Sequence, residues 1–177
     1  MDNTIQVNNI KRAIGQLTFR VSIMQLRDAI SDFTDSQAGI EKIQNAVKDL
    51  GVSVTPLDDK YYFTSWDNWQ KIIAVINPIV QQFEWVSERF DCDNRANLVC
   101  SLISLIFEIN TCAGLYCDVF DAKTGDYKYR HYANLIVDKD DNVWLWDVDN
   151  GGQYTKITSN NPILGSLKYN LMSIRCY

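Results

Sequence analysis

A single histidine, three prolines and eight glycines serve a chain of 177 residues, and 17 basic residues stand against 22 acidic ones. Each shortage excludes something. One imidazole rules out a His₂ or His₃ metal site within one chain, and any mechanism that needs two imidazoles. So little Pro and Gly, beside 12% aromatic and 46% hydrophobic residues, excludes a disordered tail. A net charge of −5 repels phosphate, which argues against a nucleic-acid partner held by charge. No apolar run is long enough for a membrane helix. The longest, Leu98 to Phe107, contains Ser101 and Ser104 and is about half the span a bilayer needs. The start, Met1 to Gln6, lacks a basic region followed by an apolar block, so no signal peptide is expected and the cytoplasm is the default compartment. Five cysteines, an odd number without an export signal, read as reduced thiols rather than a disulfide framework.

What is present suits one domain, 1–177, with a helical front and a β-rich back, residues 1–51 forming a helical N-terminal extension or subdomain of unknown role: a docking element, a pro-segment or simply part of the domain. Leu17, Phe19, Val21 and Ile23 alternate with polar residues, as in a short strand or the lead-in to a helix. Thr34 and Gln37 form a capping-box pattern ahead of Ile40, Ile43, Val47 and Leu50, and Gly51 is a natural stop. Ser65 can cap a helix with Trp66, Trp69, Ile72, Ile73 and Ile76, those tryptophans reading as core rather than a sugar platform. Asn77-Pro78 predicts a break, with a restarted helix carrying Ile79, Val80, Phe83 and Val86. A helix from about Ala96 to Ile109 is apolar around most of its circumference, which predicts a central, surrounded position. Period-two segments follow at 115–120, 127–137, 143–148, 154–157 and 167–174, giving an α+β pattern.

Chemistry gathers at three positions. Cys92 stands just ahead of the apolar helix, where the dipole and unpaired N–H groups favour thiolate, while Asp91 and Asp93 oppose it. The plain alternative is a small buried hydrophobe like the other four cysteines. His131 shares a strand face with Ala133, Leu135 and Val137, where a satisfied core histidine is the commoner outcome. Asp147 puts a carboxylate in alternation with Val143 and Leu145, where it needs a partner. Register decides whether they meet. A three-residue loop, 139 to 141, sets position 133 against 147 and puts His131 diagonally across from Asp147. A loop of two or four residues turns Asp147 away, and Trp144 and Trp146 offer a rival buried face. Together the three residues would make nucleophile, base and orienting acid, with backbone N–H groups at the helix start facing an oxyanion.

Phe90-Asp91-Cys92-Asp93-Asn94-Arg95-Ala96, His131-Tyr132-Ala133-Asn134-Leu135-Ile136-Val137 and Val143-Trp144-Leu145-Trp146-Asp147-Val148 resemble the papain-like cysteine peptidase domains of the Marasmius oreades agglutinin family. Tyr61 to Trp69 resembles that family's lead-in, and the likeness runs from about Val52 to Gly152. The resemblance implies a papain-like α+β fold and a triad of Cys92, His131 and Asp147, with Asp147 where the agglutinin has Glu. No Gln stands a few residues before Cys92; Trp85 and Ser87 occupy that stretch and, with Asn134, are the candidates for an oxyanion or substrate contact. The agglutinin's carbohydrate-binding trefoil is absent, so lectin activity does not carry over. Its peptidase depends on calcium, which makes Asp91, Asp93 and Asp149 candidate ligands here, although Asp147 to Gly152 lacks the full spacing of an EF-hand loop. The chemistry itself needs no cofactor.

Residues 91 to 150 hold eleven acidic residues against five basic ones, which points to cationic or metal-bridged ligands. The expectation is a cysteine peptidase acting on a peptide or protein substrate. Its alternatives are a non-catalytic binding or assembly module and a transglutaminase-like acyl transferase. No membrane partner is expected, and a homodimer is left open.

Overall fold

A computed structural model describes residues 36–176, together with Gln25. The alternating segment at 17–23 therefore lies outside the described residues, as does Thr34. Within this span the chain forms β1 (Ser36–Ala38), α1 (Ile40–Val47), a 3₁₀ turn (Lys48–Leu50), β2 (Ser53–Thr55), β3 (Tyr61–Phe63), α2 (Trp66–Val80) and α3 (Cys92–Phe107). Six strands follow: β4 (Cys112–Asp121), β5 (Tyr127–Val137), β6 (Val143–Asp147), β7 (Gln153–Lys156), β8 (Ile163–Leu164) and β9 (Leu167–Cys176). Helices lead and strands follow, an α+β arrangement.

The large sheet runs β2-β9-β4-β5-β6-β7, with β8 on β9; only β2 runs parallel to its neighbour, and β1 pairs with β3 apart from it. Period-two alternation gives the sheet two faces. One face gathers Leu115, Cys117, Ala133, Leu135, Val143, Leu145, Tyr169 and Leu171 against Ile43, Val47 and Leu50 of the α1 segment. Residues 36–51, set apart in the sequence as part of an extension or subdomain, are thus built into the core. The other face meets the helices. There the Asn134 amide donates to the Ala96 carbonyl of α3 (3.0 Å), and the Trp146 indole donates to Asn77 of α2 (3.0 Å). Both faces of β6 are covered, since Trp146 is fully buried and Trp144 stacks on Trp66 at 3.5 Å. That is why its sequence reads either way.

Local signals place the helices, with four corrections. Gln37 lies in β1, so the expected capping box does not form; α1 starts after Gly39 without a side-chain cap and ends at Gly51, whose φ of 65° suits glycine. Ser65 caps α2 as its sequence predicts, accepting from the Asn68 N–H (3.3 Å). Pro78, however, does not break the helix, which runs on to Val80. In the last turn its missing N–H removes a single ladder bond, and Asn77 is pinned from outside by Trp146 and by the Gly152 carbonyl. No helix restarts; residues 81–91 form a loop closed by a bridge between Val86 and Phe90. α3 begins at Cys92, four residues earlier than its apolar run, because Asp91 and Asn94 make the capping box. It is not surrounded on all sides: Leu105 is 77% exposed.

Candidate active site

Cys92 is the first residue of α3, so its N–H has no acceptor within the helix and points out of the N-terminus with its neighbours. Its side chain is half-buried, unlike Cys100, Cys112, Cys117 and Cys176, which are buried free thiols. Burial pushes the Cys176 thiol up to about 12 and raises Cys117 further, so both are inert at neutral pH. Cys92 alone faces a cleft of about 620 Å³, lined by residues of the 81–91 loop, the start of α3 and the start of β5.

The β5–β6 hairpin takes the register expected from its apolar pattern. Leu135 faces Leu145 and Val137 faces Val143, which sets 133 against 147 and joins Asp138 to Asn142 across a three-residue tip. His131 consequently reaches Asp147 diagonally, with Nε2 3.0 Å from Oδ1, both side chains buried. With Nε2 engaged, Nδ1 is the nitrogen left free of Asp147, and His131 and Cys92 line the same cleft. Burial alone disfavours the imidazolium. The hydrogen bonds and charge of Asp147 and Cys92 outweigh it and raise the His131 pKa to about 10.

Asp147 is held from four directions. Besides His131 it accepts the Tyr169 hydroxyl (2.7 Å) and the N–H groups of Asp149 (3.0 Å) and Asn150 (3.2 Å). Burial works to raise its pKa, but these donors and the charge on His131 lower it below the usual carboxylate range. Tyr169 moves the opposite way, its phenol raised by burial and by the Asp147 charge. The arrangement is a charged pair in a dry place whose remaining lone pairs are satisfied.

The other candidates part company. Trp85 lines the cleft beside Cys92, half exposed. Ser87 is exposed on the same loop but is not among the lining residues. Asn134 is corrected from a substrate contact to a clamp: it is fully buried, and its amide donates to the Ala96 carbonyl and to Cys100 Sγ (3.3 Å). The expected acidic ligands also separate. Asp91 caps α3 and hydrogen-bonds Asp93, which lowers the pKa of the first and raises that of the second. Asp149 instead pairs with Arg95 and lies near His131 and Asp147, the three offering ligand atoms within 4.8 Å of one another. Tyr169, Arg95, Phe83, Glu84 and Tyr129 were not singled out in the sequence. Only Tyr169 left a trace, as a hydroxyl in alternation with Leu167 and Leu171 on an apolar strand face.

No protein-family model matches the sequence, and no curated protein is similar to it. Among solved structures the chain is similar to a PSL1a–E64 complex, at 17% identity and a TM-score of 0.52 over 78% of this chain and 51% of that one. It is similar also to the Polyporus squamosus lectin bound to a human-type influenza-binding epitope, at 15% identity and a TM-score of 0.50 over 67% of this chain and 45% of that one. At such identities the likeness shows a shared fold. The chain spans about half the length of each of these structures.

Proposed function

We propose that this protein is a papain-like cysteine hydrolase that attacks peptide or acyl carbonyls through Cys92. The observation that carries the reading is the hydrogen-bonded His131–Asp147 pair, buried beside the half-buried Cys92 thiol at one cleft that Cys92 and His131 both line. Four further cysteines without such a partner make the contrast within the same chain. His131 holds the proton that the thiol gives up and returns it to the leaving amine, while Asp147 fixes the ring and balances its charge. N–H groups at the head of α3, that of Cys92 included, face the developing oxyanion. With an amine in place of water, the same acyl-enzyme would serve a transferase.

Calcium belongs to the same proposal. Asp91 and Asp93 flank Cys92 at the head of α3, and their mutual influence lowers the pKa of the first and raises that of the second, as neighbouring like charges do. Those two residues would hold the ion; Asp149, engaged by Arg95, would not. Bound there, calcium would neutralise acidic charge beside the thiol.

A second reading is a non-catalytic binding module on the same fold. It is favoured by the lectin among the structural neighbours, which was bound to a sialylated glycan epitope.

Alkylation separates the two. Iodoacetamide at pH 6 should modify Cys92 ahead of the other four cysteines, and His131→Ala should abolish that preference, both read by peptide mass spectrometry. Uniform or absent labelling sinks the hydrolase and transferase readings together. A peptide-cleavage assay with chelator, with calcium and with primary amines then assigns metal dependence and acceptor.

A further inference from the structure

The cleft beside Cys92 sets open aromatic side chains among charged groups that, with one exception, have ion-pair partners within the protein. Phe83 and Trp85 from the 81–91 loop and Tyr129 from β5 stay 48%, 53% and 43% exposed. Large aromatic side chains left open together at a cleft mark a contact surface. The polar groups between them are engaged within the protein. Arg95 pairs with Asp149 and donates to the Phe83 carbonyl (2.6 Å), Gln81 donates to the Val148 carbonyl, and Arg130 pairs with Asp118 (3.0 Å). His131 is balanced by Asp147. Glu84 differs: it is exposed, it lines the cleft, and among the described residues no cation is paired with it. From 84 to 93 the chain carries four carboxylates against one arginine, so the field at this rim is negative.

We propose that the cleft selects substrates by a lysine or arginine side chain close to the scissile bond, with Glu84 pairing the charge and Phe83, Trp85 and Tyr129 flanking the alkyl stem. The proposal rests on the hydrolase reading for its scissile bond. An aliphatic stem covers aromatic surface while its cationic head meets ring faces and a carboxylate, so one side chain uses both features of the cleft. A neutral apolar side chain would use the rings and strip water from Glu84 without replacing it. An acidic one would meet like charge. A sugar needs free hydrogen-bonding side chains beside its stacking ring, and here Arg95, Gln81 and Asp149 are already bonded.

A pooled peptide library, with cleavage sites read by mass spectrometry, tests this directly. Arginine and lysine should exceed norleucine by about tenfold at one position near the cut, the size of an exposed ion pair and a cation–π contact acting together. Glutamate should be depleted there. Glu84→Gln should remove the basic preference and Glu84→Lys should reverse it. Cleavage without basic enrichment, or enrichment that survives Glu84→Gln, overturns the subsite and leaves the hydrolase standing. Iodoacetamide labelling of Cys92 in the same preparation reports on the hydrolase reading separately. Where no peptide is cleaved, calorimetry on Cys92→Ala decides, using tetrapeptide amides that contain arginine, lysine or norleucine. Tighter binding of the basic peptides, lost in Glu84→Gln, supports the subsite. Equal binding, no binding, or displacement of the basic peptide by a sialylated trisaccharide overturns it.

Discussion

Four donors converge on the Asp147 carboxylate, and one of them, the His131 ring, is fixed through Nε2 so that only its other nitrogen is left for a second partner. The two backbone donors come from the turn that Asp147 itself begins, and they survive most substitutions. The Tyr169 hydroxyl comes from a strand 22 residues further along and can be removed alone. Tyr169→Phe leaves a buried carboxylate one charge-assisted bond short. A loss of about 1.5–3 kcal/mol is expected by urea denaturation, with slower alkylation of Cys92. A loss below about 0.5 kcal/mol would mean that Tyr169 packs beside Asp147 without supporting it. Nothing in the sequence around Asp147 points to position 169, because the pair depends on how β9 returns through the sheet. Arg95 was hidden for a different reason. A basic residue near a helix start carries no sign of burial, yet Arg95 is 4% exposed and holds Asp149.

At the scale of elements, the β5–β6 hairpin was the most legible part, since apolar alternation on both strands favours the register that buries Leu135, Val137, Val143 and Leu145 together, against the rival face of Trp144 and Trp146. Its tip carries the same information in another form. Asp138 is fully buried and accepts from the N–H groups of Asp140 and Asn142, the Asn142 amide and the Trp144 indole, which closes the loop at three residues. Asp138→Ala should cost about 2–4 kcal/mol, since several donors lose their acceptor in a dry place. The variant should also lose preferential labelling of Cys92 before it unfolds globally, as the register that aims Asp147 loosens. Retained labelling at full rate would show that strand pairing alone sets the register. The helices were less legible where the chain's own signals conflict with its neighbours. Pro78 reads as a terminator, yet Trp146 and Gly152 hold Asn77 from outside. Asp91 and Asn94 form a cap ahead of the apolar run, which moved the start of α3 back to the thiol.

For the whole molecule, the same buried pair links chemistry to stability. His131 has a folded pKa of about 10 against an unfolded value near 6.5. A group raised on folding contributes stability that is complete below about pH 6.5 and is lost as the pH climbs through its folded value. Asp147, lowered on folding, contributes above its ordinary range and fails in acid. The melting temperature should therefore decline from about pH 6.5 to 10, and His131→Gln should flatten that decline. An unchanged slope in the variant would place the alkaline transition elsewhere. Composition gave none of this, since one histidine among 177 residues says only that any such effect has a single source. The α+β body came from the order of helical and period-two segments, and the odd cysteine count suggested thiols outside disulfides, four of which are buried.

The loop at 81–91 is fastened at its ends and by its backbone. Gln81 holds the Val148 carbonyl, Arg95 holds the Phe83 carbonyl, the Asp91 carboxylate accepts the Glu88 N–H, and Val86 bridges to Phe90. The side chains of Glu84, Trp85, Ser87 and Glu88 between those fastenings are all exposed. Mutations there can drift without passing through a folding bottleneck. On the proposed hydrolase reading, a lineage carrying this scaffold could exchange one diet of targets for another in a few steps, while the thiol, the imidazole and the carboxylate stayed under a separate and far stricter selection.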